Sequence, residues 1–143
     1  MHDLKTQFGL LRSRLICYGQ PFTRRRLRRF YGQFVRPDAL CFDIGAHLGN
    51  RTQAFMDLGA RVVAVEPQPD CAVYLQRRFG RQPGFRLVSK AIGAQAGTST
   101  LRINRMNPAI TTLAPAGWRK AMADAAWSQE RWDRQVEVEV TTL

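Results

Sequence analysis

Two acids and two glycines carry the chemistry in this sequence. Asp43, Gly45 and Gly49 lie within Cys41-Phe-Asp43-Ile-Gly45-Ala-His-Leu-Gly49-Asn50, and Glu66 closes Arg61-Val-Val-Ala-Val-Glu66. An apolar run, a glycine-containing turn and a helix is the layout that brings backbone close to a ligand at the carboxyl end of a strand. A dinucleotide fingerprint would put glycine where Asp43 stands, so that bare N–H groups face a pyrophosphate. A carboxylate there repels a pyrophosphate and favours a ligand with an ammonium and a sulfonium. S-adenosylmethionine has that charge pattern; NAD and ATP do not, and no Gly-Lys-Ser/Thr follows the loop. Glu66 comes 23 residues after Asp43, near the spacing of about 20 at which an acid meets ribose hydroxyls in such units. His47 could titrate near neutrality, but it sits inside the loop with no carboxylate partner evident from spacing. It reads as a polar loop residue rather than a base.

The elements that must position these groups follow from periodicity. Residues 3–18 and 22–35 read as two helices split by Gly19-Gln-Pro21. In the second, Phe22, Leu27, Phe30, Tyr31 and Phe34 recur at roughly helical spacing and are expected to pack on the following domain. Arg36-Pro-Asp38 reads as a turn. Strands are then expected at residues 40–42, 61–66 and 85–89, with helices from Asn50 to Leu58 and from Pro69 or Asp70 to about Phe79. The continuous apolar body of 61–66 suits a strand buried on both faces of a parallel sheet. This β-α-β-α-β order implies right-handed crossovers and an α/β, doubly wound, mainly parallel sheet. Beyond it, Thr98–Ile103 and Val136–Val140 alternate and are expected to pair antiparallel, with a helix across Trp118–Arg134 between them.

Length fits one domain, divided here into a basic helical segment, residues 1–36, and a body, residues 37–143. The net charge of +11 is concentrated in that first segment, where nine Lys/Arg face a single Asp. Nucleic acid, anionic lipid or an acidic substrate could meet such a patch, although a solvated helical face is the commoner meaning. Cys17, Cys41 and Cys71 are scattered, odd in number and form no Cys-x-x-Cys pair, so reduced thiols and no metal site are expected. No secretory signal and no run of about 20 apolar residues is present, and a cytoplasmic location is expected.

Asp43-Ile-Gly-Ala-His-Leu-Gly-Asn50, Gly59-Ala-Arg-Val-Val-Ala-Val-Glu-Pro67, Lys90-Ala-Ile-Gly93 with Gly97, and Thr111-Thr-Leu113 together resemble the FkbM methyltransferase family over about residues 34–143. The resemblance implies a Rossmann-like class I methyltransferase fold and S-adenosylmethionine-dependent methyl transfer to a small-molecule or glycan acceptor. The acceptor group it implies is a hydroxyl of a sugar, glycolipid, polysaccharide or polyketide-type product. By position, Asp43, Gly45 and Gly49 would shape the methionine end of the pocket, Glu66 would hold the ribose, and Ala91 and Ile92 would lie near the adenine. Ala46, Asn50 and Pro67 complete the implied cofactor set; no catalytic base is identified.

Three features depart from the family pattern. His47 stands where Asn is common, and residues 114–135 form a longer insertion carrying Trp118, Trp127 and Trp132. The sequence also stops at Leu143, where the family continues into a fourth strand, so the fold is expected to be incomplete at its C-terminus. As given, the chain is expected to bind cofactor weakly or not at all and to show no turnover. Two other readings are an RNA methyltransferase, suggested by the arginine-rich N-terminus, and a non-enzymatic basic interaction protein built on a methyltransferase remnant. Nucleic acid is not the expected partner, because no recognisable RNA-reading arrangement of aromatics accompanies the arginines.

Overall fold

The computed structural model describes residues 3–20, 22–115 and 130–143. The chain opens with α1, Leu4–Tyr18, and α2, Thr23–Tyr31. The second helix is shorter than the apolar spacing suggests: it stops at Gly32, whose N–H closes on the Arg28 carbonyl. Next come β1, Leu40–Ile44; α3, Asn50–Asp57; β2, Arg61–Val65; α4, Pro69–Phe79; and β3, Phe85–Val88. Two-residue β4, Ala91–Ile92, precedes β5, Gly97–Ile103, and β6 spans Arg134–Thr141.

The strands form two sheets. In the first, β1, β2 and β3 run parallel in that order, with Asp43 opposite Ala64 and Ala64 opposite Leu87. Successive right-handed crossovers that advance in one direction place their helices on the same face. So α3 and α4 both cover the face that carries Cys41, Val62, Ala64 and Phe85. Phe55, Ala60 and Val62 pack there with Tyr31 and Cys41, and Ala46, Ala64, Leu75 and Phe79 pack with Phe85 and Leu87. The fully buried Leu48, Leu75 and Phe79 each contribute about 2–3 kcal/mol of transfer free energy.

The opposite face corrects the expectation of a doubly wound sheet. Leu40, Phe42 and Ile44 of β1 are exposed, and Val63 is only half-buried. Among the described residues no helix covers that face and no strand pairs with the outer edge of β1.

The second sheet has the order β4-β6-β5. The expected antiparallel pair is present, with Leu101 opposite Val136 and Ser99 opposite Val138. Ala91, Leu101, Ile103 and Val138 make its core. Trp118, Trp127 and most of the helix expected over residues 118–134 lie outside the described residues. Its last portion is not helical: residues 130–133 have no regular secondary structure and lead into β6. Trp132 there donates its indole N–H to the Ile110 carbonyl at 2.9 Å.

The N-terminal helices meet the body in different ways. Within α2, Tyr31 stacks edge-on against Phe55 of α3, and Arg24 makes a two-pronged ion pair with Asp57 at 2.6 and 2.7 Å. Phe22, Phe30 and Phe34 do not pack inward as expected; all three are exposed. In α1 the buried positions are Thr6, Gly9 and Ser13, small residues one helical turn apart. A Cβ on Gly9 would stand 1.8 Å from the Arg105 carbonyl oxygen, so this face admits nothing larger. Arg105 also pairs with Asp3 and with Asp133.

Candidate functional site

The loop from Gly45 to Gly49 continues β1 past its last strand residue. The N–H groups of Gly45 and Ala46 both donate to the Val65 carbonyl, at 2.9 and 3.1 Å, which keeps the chain beside β2 as it leaves the sheet. It then turns through three left-handed residues: Gly45 at φ +70°, His47 at +52° and Gly49 at +79°. Ala46 and Leu48, between them, point into the core.

The two end glycines serve different needs. A Cβ on Gly49 would meet Phe79 at 2.6 Å and Leu75 at 2.7 Å, so Gly49 lets the loop close on α4. A Cβ on Gly45 would meet no atom within 4 Å. Packing accounts for the first glycine and leaves open space beside the second.

His47 suits the left-handed place it holds in the turn. Asn and His are among the few side chains that tolerate a left-handed backbone, so one stands in for the other at φ +52°. Burial first, and then the charge of Arg51, hold the imidazole below its ordinary value. Its Nε2 is buried without a hydrogen-bond partner among the described residues. Both influences favour the neutral ring, and among the described residues no carboxylate hydrogen-bonds to it to orient it as a base.

Glu66 grips the loop directly. Its Oε2 accepts the His47 N–H at 2.7 Å and its Oε1 accepts the Gln68 N–H at 2.8 Å. Burial raises its pKa; the two backbone bonds pull it down, and the nearby charge of Asp43 adds a smaller upward push. The acid at the end of β2 and the loop after β1 are thus one hydrogen-bonded unit.

Asp43 has structural work as well. Its Oδ2 accepts both the backbone N–H of Thr52, at 2.9 Å, and the Thr52 hydroxyl, at 2.7 Å. That satisfies one of the free N–H groups in the first turn of α3 and places a negative charge at the positive end of the helix. The guanidinium of Arg51 lies 3.9 Å from the other oxygen. Thr52 was not singled out from the sequence. Its signal was a hydroxyl at the third position of a helix, nine residues after a strand-end acid.

The remaining sequence-derived residues divide. Asn50 opens α3 and its side-chain oxygen accepts the Arg51 N–H at 2.9 Å, while Pro67 sits half-buried between Glu66 and Gln68. Ala91 and Ile92 belong to the other sheet, where β4 pairs with Val140 and Thr141 of β6. They are not part of the hydrogen-bonded group around Glu66. Tyr18 at the end of α1, which no sequence signal marked, donates its hydroxyl to the Leu48 carbonyl at 2.6 Å and so ties α1 to the loop.

Comparison with known proteins bears on this geometry. Searches of curated proteins and of solved structures returned no match. A scan of protein-family models matched the methyltransferase FkbM domain over residues 43–143. The matched stretch begins at Asp43 and takes in the loop, Glu66 and both sheets after β1. The chain, with its Asp43–Gly49 turn clamped to the acid that ends β2, belongs to the FkbM methyltransferase family.

Proposed function

We propose that this chain binds S-adenosylmethionine at the Gly45–Glu66 corner and serves transfer of a methyl group to a hydroxyl of a sugar, glycolipid or polyketide-type product. The observation that carries the reading is the asymmetry of the two glycines. Gly49 is required by packing, whereas Gly45 presents bare left-handed backbone to open space beside the Glu66–His47 hydrogen bond. Close approach of a ligand to backbone is the usual reason for such a glycine.

The residues fit the cofactor. Each Glu66 oxygen accepts one backbone N–H, and a carboxylate oxygen has a second lone pair with which to receive a ribose hydroxyl. The Oδ2 of Asp43 is held by Thr52, and its negative charge favours the cationic methionine end electrostatically. When bound, S-adenosylmethionine supplies an electrophilic methyl group on a sulfonium. The contribution of the protein is to hold donor and acceptor in line, and positioning alone can supply much of the barrier reduction in such a displacement. Among the described residues no strand pairs with the outer edge of β1, so that side of the loop stays open.

Saturation-transfer NMR with S-adenosylhomocysteine detects binding in the millimolar range. Saturation should reach the ribose and adenine protons, and Gly45→Ala should weaken it about tenfold, the worth of a lost close contact of about 1.4 kcal/mol. Absence of transfer at millimolar ligand, or equal competition by NAD or ATP, would overturn the reading.

A further inference from the structure

Helix α1 is turned inside out relative to an ordinary surface helix. Its small and polar residues Thr6, Gly9 and Ser13 are buried, while Leu4, Phe8, Leu11 and Leu15 are 81, 57, 52 and 63 % exposed. At 100° per residue those four fall in one stripe opposite the buried three. Lys5 and Arg12 flank the stripe on one side and Arg14 on the other. The packing that causes this inversion is the close approach of Gly9 to the Arg105 carbonyl, which leaves the larger side chains nowhere to go but outward.

A basic helix packs beside α1. Between α1 and α2 runs a groove of about 600 Å³ lined by Ile16, Leu27, Phe30, Arg26 and Arg29 among others. Of the five arginines in α2, Arg24 is tied to Asp57. Arg25, Arg26, Arg28 and Arg29 make no ion pair among the described residues. The exposed Ile16 of α1 and Phe30 of α2 therefore share this groove with the guanidinium groups of Arg26 and Arg29.

We infer that α1 and α2 form a docking face for an anionic lipid bilayer, with the α1 stripe inserting at the headgroup boundary and the α2 arginines meeting lipid phosphates. The chemistry favours lipid over the other polyanion that arginines attract. Nucleic acid rewards the charges and stacks on aromatic rings, but it gives Leu4, Leu11 and Leu15 of the stripe nothing to bury in, whereas an interfacial helix uses charge and aliphatic surface together. Among the described residues no helix is long and apolar enough to cross a membrane, so the contact is peripheral. Through Tyr18 the docked helix holds the Gly45–Gly49 loop with it. The inference does not depend on the methyl-transfer reading, because its test uses no cofactor.

Vesicle co-sedimentation of the whole chain tests it. Vesicles with about one-third phosphatidylglycerol should bind at least about tenfold more tightly than pure phosphatidylcholine, since each basic residue near an anionic surface adds severalfold. The double variant Phe8→Ser/Leu15→Ser should lower binding to the anionic vesicles about tenfold or more by removing insertable apolar surface. Arg25→Gln/Arg26→Gln/Arg29→Gln should abolish the preference for anionic lipid. All these side chains are exposed, and unchanged circular dichroism confirms that the variants fold. Phe42→Ser, on the open face of β1, should leave vesicle binding unchanged. Four results would overturn the inference: equal binding to both vesicle types; binding lost in Phe42→Ser but retained in the α1 variant; salt-sensitive binding of a poly(U) RNA without vesicle binding; or a dimer in sedimentation velocity that the α1 variant abolishes while vesicle binding is absent.

Discussion

Replacing Glu66 with glutamine isolates what the carboxylate does for the loop. Each of its oxygens takes one backbone N–H, from His47 at 2.7 Å and from Gln68 at 2.8 Å. Glutamine has the same size but one acceptor oxygen, so its amide must meet one of those donors N–H to N–H. Glu66 is 6 % exposed, and water cannot replace the lost acceptor easily. An orphaned buried donor costs about 1–3 kcal/mol. Against this works the relief of a buried charge, since burial is the leading influence on the Glu66 pKa and raises it. The net expected loss is about 1–2 kcal/mol near neutrality. Urea unfolding followed by circular dichroism measures it. The pH dependence then checks the sign. A carboxyl whose folded pKa lies above its unfolded one contributes stability that is full below the unfolded pKa and is lost as pH rises through the folded pKa. The gap between the native chain and Glu66→Gln should therefore be wider at about pH 4 than at about pH 7, other groups cancelling in the difference. A variant as stable as the native chain at neutral pH would refute the acceptor argument. A gap that widens from about pH 5 to about pH 7 would refute the desolvation argument.

The other expectations use the same loop and its surroundings. Gly49→Ala forces a side chain against Phe79 and Leu75 at φ +79°, and should cost about 2–4 kcal/mol in the same unfolding assay, from overpacking and backbone strain together. His47→Asn should change stability by less than about 0.5 kcal/mol, while His47→Val, a β-branched residue at φ +52°, should lose about 1–3 kcal/mol. Because the folded pKa of His47 is lowered, its stability contribution is present above the unfolded value and lost as pH falls through the folded one, and His47→Asn should flatten the thermal melting profile on that acid side. Arg24→Ala removes a two-pronged pair whose arginine is 65 % exposed, so its cost should stay below about 1 kcal/mol and shrink in 0.5 M salt. That cost should also fade in acid: Arg24 lowers the pKa of Asp57, and the contribution disappears as pH drops through the folded value.

Where local chemistry dictated the elements, the sequence was readable. Gly59 at φ +82° ends α3 as its position suggested, and the apolar runs of β1, β2 and β3 pair in the expected parallel order. The position of Glu66 just after β2 also followed from the residue pattern. Three things did not. Asp43 stands out as a charge for a ligand, with a capping or turn role as the plainer alternative, yet its partner is Thr52, because a helix N-terminus that forms nine residues later is invisible in the strand. The single-faced sheet required knowing that β1, β2 and β3 advance in one direction. The inversion of α1 was illegible because a polarity pattern weighs how greasy a residue is, whereas the contact with Arg105 selects for how small it is.

That contact between Gly9 and Arg105 also sets an order of events. Asp3 and Arg105 pair across a sequence separation of 102 residues, so the small-residue face of α1 has no seat until β5 and the turn after it exist. At about 5–20 residues per second of synthesis, that interval is about 5–20 s. During it a helix carrying Leu4, Phe8, Leu11 and Leu15 waits with neither its small face nor its large one covered. Helix α1, made before the strand and turn that seat its small face, is thus among the last elements to find its place, and a bilayer or a holding chaperone that catches the nascent chain would meet α1 before β5 does.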